Sequence, residues 1–229
     1  AAAEHFGLRG FALPGLPLTT VTSVSAIRTA ISTQAECSAE EWWDLWRRDP
    51  QATPFQSPAW LLSWRRHFCE GESIVVSLRQ EGRLLGLLPL LRLDGRLILW
   101  GAGTTDWLGG LFDPALEEQA LYRAFAALDE PLDLFQLPPA SRLTNCPAPQ
   151  GWEERKGFSE SCPVLSLPVR LSANMRQNLR YYRRRAARLG IGEPQAGTPD
   201  HMRDLASLHT RRWRERAQPG VFADPRFLA

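Results

Sequence analysis

The chain has 229 residues, of which 44% are hydrophobic and 23% are charged, and its formal net charge is +2. This composition excludes disordered and collagen-like chains, and so small a charge does not predict a nucleic-acid partner for the chain as a whole. The longest apolar run, Leu84 to Leu93, contains a glycine, a proline and an arginine, so it does not predict a membrane-spanning helix.

The four cysteines indicate neither a metal site nor a disulfide framework. They are Cys37, Cys69, Cys146 and Cys162, far apart and without CxxC pairs or histidine-rich flanks. We therefore expect no bound metal and a cytoplasmic location. The chain begins Ala1-Ala2-Ala3 without an initiator methionine or a signal-peptide pattern, which indicates a partial or processed start.

The first third of the chain predicts a strand and two helices. Residues 1–29 lack a sustained period and are interpreted as a tail or linker, followed by a strand near Ala30 to Gln34. The Ser38-to-Glu41 capping box predicts a helix that ends near Asp49-Pro50. Ser57-Pro58 predicts a second helix. Its predicted apolar face is Trp60, Leu61, Trp64 and Phe68.

A change of period then predicts three antiparallel strands in succession. The strand-like runs are Ser73 to Leu78, Leu84 to Leu91 and Leu97 to Trp100. Glu81-Gly82 and Asp94-Gly95 are typical of the tight turns between such strands.

A further helix and three strands are predicted next. Asp113-Pro114 predicts a helix start, and Leu121, Ala124, Phe125 and Leu128 supply its buried stripe. The predicted strands are Leu132 to Leu137, Trp152 to Lys156 and Val164 to Leu167. Together these elements predict an α/β fold with a mixed, mostly antiparallel sheet flanked by helices.

The last part of the chain predicts two helices. The first runs from Ser172 to Leu189 and ends at Gly190, with an apolar face and a basic face. The second begins at Thr198-Pro199-Asp200 and extends to about Ala217.

The element order and three local motifs carry a resemblance to a known family. The motifs are residues 55–60 (Phe-Gln-Ser-Pro-Ala-Trp), 101–107 (Gly-Ala-Gly-Thr-Thr-Asp-Trp) and 208–213 (Leu-His-Thr-Arg-Arg-Trp). The order resembles the lobe of GNAT N-acetyltransferases, and the motifs together resemble the two-lobed acetyltransferases of the CelD type. The first motif is also similar to one in Fem-type peptidyltransferases.

The resemblance implies a domain layout: a tail over residues 1–29, a first GNAT-like lobe over 30–170 and the leading helices of an incomplete second lobe over 171–229. It also implies acetyl-CoA or another acyl-CoA as donor. The loop over residues 101–110 is too long, and has no Arg or Gln in register, to be the pyrophosphate loop of the superfamily. We therefore expect the donor site mainly beyond Ala229, and expect this chain to be inactive alone.

Six residues are predicted to contact substrate, and a structural alternative is open for Asp106, Trp60 and His209. Asp106, beside Trp107, could fix an acceptor amine or hydroxyl, or it could simply cap the loop. Gln56 could form hydrogen bonds with a polar acceptor. Trp60 could stack on a sugar ring, although core packing is the favoured interpretation of Trp60. His209 and Trp213 share a helix face, where His209 could be a base, a donor or an interface histidine. No catalytic base is assigned.

The basic helix predicts anion binding. Its candidate residues, Arg176, Arg180, Arg183, Arg184 and Arg188, are joined by Arg185, and no acid lies between Ser172 and Leu189. Guanidinium groups suit a nucleotide-sugar diphosphate, the phosphates of CoA or an RNA backbone. A solvated or membrane-proximal face is the alternative.

The leading hypothesis is acyl transfer from a CoA thioester to an amine or hydroxyl of a sugar or cell-envelope precursor, as in exopolysaccharide synthesis. One alternative is a Fem-like transfer from aminoacyl-tRNA. Another is a non-catalytic module that binds an anionic polymer or a protein partner through the arginines. Stable membrane insertion is not expected.

Overall fold

A computed structural model describes residues 26–157, 161–163, 165–192 and 196–228. The strands are β1 Arg28–Ser32, β2 Glu72–Gln80, β3 Arg83–Leu93, β4 Arg96–Leu99, β5 Leu111–Phe112 and β6 Leu132–Asp133. The α-helices are α1 Ala39–Arg48, α2 Pro58–Phe68, α3 Glu118–Leu128, α4 Arg142–Asn145, α5 Ala173–Arg188 and α6 Pro199–Arg214. Short 3-10 helices cover Pro54–Gln56, Val221–Ala223 and Pro225–Leu228.

The strands form one mixed sheet, which confirms the predicted α/β fold class. The order is β1-β2-β3-β4-β6, and β5 also pairs with β3. All pairs are antiparallel except β4 with β6, which is parallel. Strand β3 is long enough to pair with β4 through Leu90 to Leu93 and with β5 through Gly86 and Leu87. The chain between β4 and β5 therefore leaves the sheet as a loop and returns to the same strand.

Helices cover both faces of the sheet, so its central strands are buried on both sides. On one face α1 and α2 pack through Trp42, Leu45, Leu61 and Trp64. On the other face α3 packs through the predicted stripe, Leu121, Ala124, Phe125 and Leu128. Burial on both faces explains why β2 and β3 are nearly continuous apolar runs rather than alternating ones.

The predicted helix starts at Ser38 and Ser57 are confirmed. Ser38 and Glu41 form the reciprocal capping box of α1, and the Ser57 side chain caps α2 ahead of Pro58. The preferred interpretation of Trp60 is wrong, because its side chain is 38% exposed. Leu61 and Trp64 occupy the buried face of α2. Trp60 lies about 100° of helix rotation from Leu61 and about 40° from Trp64, so it sits at the edge of that face.

The predicted helix start at Asp113-Pro114 is four residues early. The Asp113 carboxylate accepts a hydrogen bond from the Ala115 amide at 2.8 Å and pairs with Arg48 and Arg83. These contacts hold residues 113–116 in a turn, and α3 begins only at Glu118.

The strand predictions after α3 are mostly wrong. The strand predicted at Leu132 to Leu137 stops at Asp133. Residues 152–156 form no strand, because the charged residues 153–156 stay exposed and offer no face to bury. Residues 165–167 form none either, and Val164 lies outside the described residues. The short elements β5 and α4 carried too little periodicity to be predicted.

The two predicted C-terminal helices are confirmed as α5 and α6, with N-caps at Ser172 and Thr198. Neither helix has a buried residue. The end of the described chain packs on α2, where the Phe227 ring lies 4.8 Å from Phe68 and Arg226 contacts Glu70 at 2.6 Å. Within the described ranges, no helix combines the length and apolar character needed to cross a membrane.

Candidate functional site

The loop between β4 and β5 covers residues 100–110 and lies beside the sheet. Gly101 and Gly103 have φ of 93° and 82°, a conformation that favours glycine. A Cβ on Gly101 would lie 2.7 Å from the buried Thr105 hydroxyl. The glycines thus allow the loop to fold tightly around Thr105.

Gln56 fixes this loop to the start of α2. Its buried amide donates a hydrogen bond from Nε2 to the Trp107 carbonyl at 2.9 Å. Its Oε1 accepts hydrogen bonds from the Thr53 amide at 3.0 Å and the Thr53 hydroxyl at 2.6 Å. Both ends of the Gln56 side chain therefore form hydrogen bonds within the protein. That Gln56 binds a polar group of the acceptor stays a prediction.

Replacing Gln56 by alanine should loosen the loop and lower the free energy of unfolding by about 2 kcal/mol, because the Trp107 carbonyl loses its donor in a buried setting. Amide hydrogen exchange should accelerate over residues 101–110. The matched control is Gln51→Ala, whose Nε2 donates to the Ala140 carbonyl at an exposed position. Equal exchange in the two variants would contradict this role of Gln56.

Trp60 lies against the same loop. Its indole N–H donates to the Thr105 hydroxyl at 3.0 Å, and the Phe55 ring meets the indole edge-on at 5.3 Å. These two contacts hold an indole that is 38% exposed, and Trp107 is exposed to the same extent. The structure therefore brings Gln56, Trp60 and the segment 105–107 to one place.

A shallow groove with a volume of about 20 Å³ borders the loop. Gln56, Gly109, Gly110, Ser141 and Arg142 are among the residues that line it. A side chain at Gly110 is excluded, because a Cβ would lie 2.8 Å from the Leu87 carbonyl oxygen. The close approach of Gly110 to β3 thus shapes the wall of the groove.

The described residues supply no cysteine nucleophile in this region and no cluster of three metal-ligating side chains. Burial raises the pKa of the Cys37 thiol to about 11, and burial likewise raises the pKa of Cys146 to about 11. Both thiols are protonated near neutral pH and are poor nucleophiles in that form.

His209 and Trp213 form a separate cluster on α6. The His209 ring lies 5.7 Å from Trp213 and 4.9 Å edge-on from Phe222, which follows the helix. The His209 Nδ1 atom is buried without a hydrogen-bond partner among the described residues. The cluster holds residues 220–223 against α6, so the structure gives these two side chains a packing role and does not place them at the loop.

Gly220→Ala should release this C-terminal segment from α6. Gly220 has φ of 67°, and a Cβ there would lie 2.7 Å from His209 and 2.8 Å from Trp213. We expect faster proteolysis and amide exchange after residue 214, with the sheet unchanged. Gly192→Ala is the control, because no atom lies within 4 Å of the added Cβ; unchanged exchange in Gly220→Ala would contradict the packing argument.

The predicted anion-binding arginines are exposed along α5. Arg176 donates to the Leu171 carbonyl at 2.5 Å and Arg184 donates to the Arg180 carbonyl at 3.3 Å. No carboxylate of the described chain forms a salt bridge with any of the six arginines between Ser172 and Leu189. Their positive charge is therefore uncompensated within the part of the chain that the structure describes.

Comparison with known proteins supports acyl transfer as the general class of chemistry. Residues 173–229 match a family model described as an acetyltransferase (GNAT) domain. The match begins at the first residue of α5 and includes α6. No curated protein and no solved structure matches the chain. The CelD type and the two-lobed arrangement stay predictions.

Proposed function

We propose that the protein transfers an acyl group from an acyl-CoA thioester, such as acetyl-CoA, to an amine or hydroxyl of a sugar or cell-envelope precursor. The observation that carries the proposal is the match of residues 173–229 to an acetyltransferase (GNAT) domain. The mixed sheet flanked by helices over the preceding residues is compatible with the GNAT-like lobe that the motifs predict.

The proposed reaction needs positioning more than covalent catalysis by the protein. The acceptor nitrogen or oxygen attacks the thioester carbonyl carbon, the new C–N or C–O bond forms, and the C–S bond breaks to release the CoA thiol. The proton of the acceptor leaves to a base or to water. Asp106 is our candidate for orienting the acceptor, since its carboxylate is exposed and has no partner in the described chain.

The arginines of α5 fit the phosphates of an acyl-CoA donor. Arg176, Arg180 and Arg183 lie along one ridge of the helix at spacings of four and three residues. Guanidinium groups form charge-assisted, often bidentate, hydrogen bonds with phosphate oxygens. Because no acidic side chain of the described chain pairs with these groups, they are free to bind an anion.

The side chains of the same helix also suit aminoacyl-tRNA, which is the alternative donor. Tyr181 and Tyr182 are exposed beside the arginines, and exposed aromatic rings with guanidinium groups also suit RNA. The two donors differ in size and in the number of phosphates, so direct binding separates them.

The test is calorimetric titration of acetyl-CoA and, separately, of charged tRNA into the protein encoded by the complete gene. We expect saturable binding of acetyl-CoA, weakened about tenfold in the double variant Arg180→Gln/Arg183→Gln. Arg123→Gln, exposed on α3, is the control and should bind normally. Binding of charged tRNA without binding of acetyl-CoA, or binding of neither, would overturn the proposal.

A further inference from the structure

The structure assigns a carbohydrate subsite to the exposed aromatic surface formed by Trp60, Asp106 and Trp107. This inference rests on the proposed function, because it says where the sugar of the acceptor binds. We call this surface the indole platform. The ligand is a pyranose ring, taken up as a free sugar or as part of a larger glycan.

The Trp60 indole and the backbone of the loop are held in place before any ligand arrives. Trp60 is tied to the loop through its hydrogen bond to the Thr105 hydroxyl at 3.0 Å, and Phe55 supports its edge. Trp107 is tied through its carbonyl to Gln56 at 2.9 Å. Thr105 and Gln56 are themselves buried, so the anchors belong to the packed part of the protein. The Trp60 indole, fixed in this way, loses little side-chain entropy when it binds a ligand. The hydrogen bond at Trp107 fixes the backbone of the loop.

The chemistry of the platform matches a sugar rather than a purely apolar ligand. Trp60 and Trp107 are each 38% exposed, and the hydrogen bond from Trp60 to Thr105 brings them to the same loop. Indole faces carry negative quadrupole density, which suits the C–H face of a pyranose. Asp106, between Thr105 and Trp107, presents an exposed carboxylate that can accept hydrogen bonds from two neighbouring hydroxyl groups.

Position links the platform to acyl transfer. The loop that carries Asp106 and Trp107 continues directly into Gly109 and Gly110, which line the groove beside β5. A ring bound on the platform would thus lie next to the groove, with its hydroxyl or amine groups near Asp106. The N-terminal region would in this way supply acceptor binding, while α5 would bind phosphate.

The inference is tested by saturation-transfer NMR on the protein without acyl-CoA, with methyl β-D-glucopyranoside and methyl N-acetyl-β-D-glucosaminide as probes. We expect saturation transfer to the ring C–H protons and a shift of the Trp60 indole N–H signal. Glycerol, which has hydroxyl groups but no ring, should show neither effect.

Variants separate stacking from hydrogen bonding. Asp106→Asn should raise the dissociation constant about tenfold, because a charged acceptor is lost at an exposed, isosteric position. Trp107→Ala should remove most of the saturation transfer, and Trp60→Phe should weaken it while retaining an aromatic ring. Asp204→Asn and Tyr181→Ala, at exposed positions of α6 and α5, are the matched controls.

Two outcomes would overturn the subsite: no saturation transfer to either sugar in the folded protein, or equal binding by the platform variants and the controls. Because acyl-CoA is absent, the result is independent of turnover. If sugars bind but no acyl group is transferred, the proposed function fails and the subsite stands. If neither sugar binds but acyl groups reach other acceptors, the subsite fails and acyl transfer stands.

Discussion

Replacing Trp42 by alanine should lower the free energy of unfolding by about 4 kcal/mol, the largest effect that we expect from a single substitution. The Trp42 side chain is 2% exposed and packs with Leu61 and Trp100 in the layer between the sheet and the first two helices. Its indole N–H donates to the Gln56 carbonyl at 3.0 Å. The substitution therefore removes a large buried ring and leaves the Gln56 carbonyl without this donor.

The matched control is Trp43→Ala. Trp43 is the next residue of α1, is only half-buried and meets Trp46 edge-on at 5.4 Å. We expect a loss of about 1 kcal/mol in this variant, typical of a site away from the main core. Both values are read from urea titrations at a fixed temperature. Similar losses in the two variants would contradict the central position that we assign to Trp42.

Asp113→Asn should lower the free energy of unfolding by about 3 kcal/mol. The Asp113 side chain is 5% exposed and pairs with Arg48, whose side chain is 20% exposed. Removing the carboxylate charge leaves the mostly buried guanidinium of Arg48 with Asp44, an exposed partner, as its remaining carboxylate. Losing the buried partner of a mostly buried charge costs more than the pair itself contributes. The pair joins the end of α1 to the turn before α3, so both elements should lose protection against amide exchange.

Asp133→Asn is the control for this ion pair. Asp133 contacts Arg96 at 3.0 Å, but the two side chains are 47% and 53% exposed, so water and salt screen their interaction. We expect a loss below about 1 kcal/mol from chemical denaturation. A loss in Asp133→Asn equal to that in Asp113→Asn would show that burial does not govern the effect.

The sequence predicted the elements whose signals are local. Capping residues marked the starts of α1, α2, α5 and α6, and turn dipeptides marked the hairpins of β2, β3 and β4. Elements set by distant contacts were missed or misplaced. Strand β5 is two residues long and exists because Leu111 and Phe112 meet the first half of β3, and the start of α3 is delayed by the contacts of Asp113.

The sequence predicted only part of the candidate site, because local motifs mark its segments but distant contacts join them. The motifs at residues 55–60 and 101–107 indicated which segments matter, but the hydrogen bonds that join them span 45 and 51 positions of the chain. No local pattern shows that Thr105 is the buried partner of the Trp60 indole. Trp60 itself was misjudged as a core residue because it shares a helical face with Trp64 and Phe68, of which Trp64 is buried.

We propose that this protein uses a CoA thioester to acylate an acceptor. The most direct measurement is transfer of a labelled acetyl group from acetyl-CoA, catalysed by the protein encoded by the complete gene, with release of the CoA thiol followed in parallel. We predict that label appears in an N- or O-acetylated sugar-bearing acceptor in equal amount to the thiol released. Label that remains on CoA with every sugar and envelope precursor offered, while the protein is folded, would contradict the account.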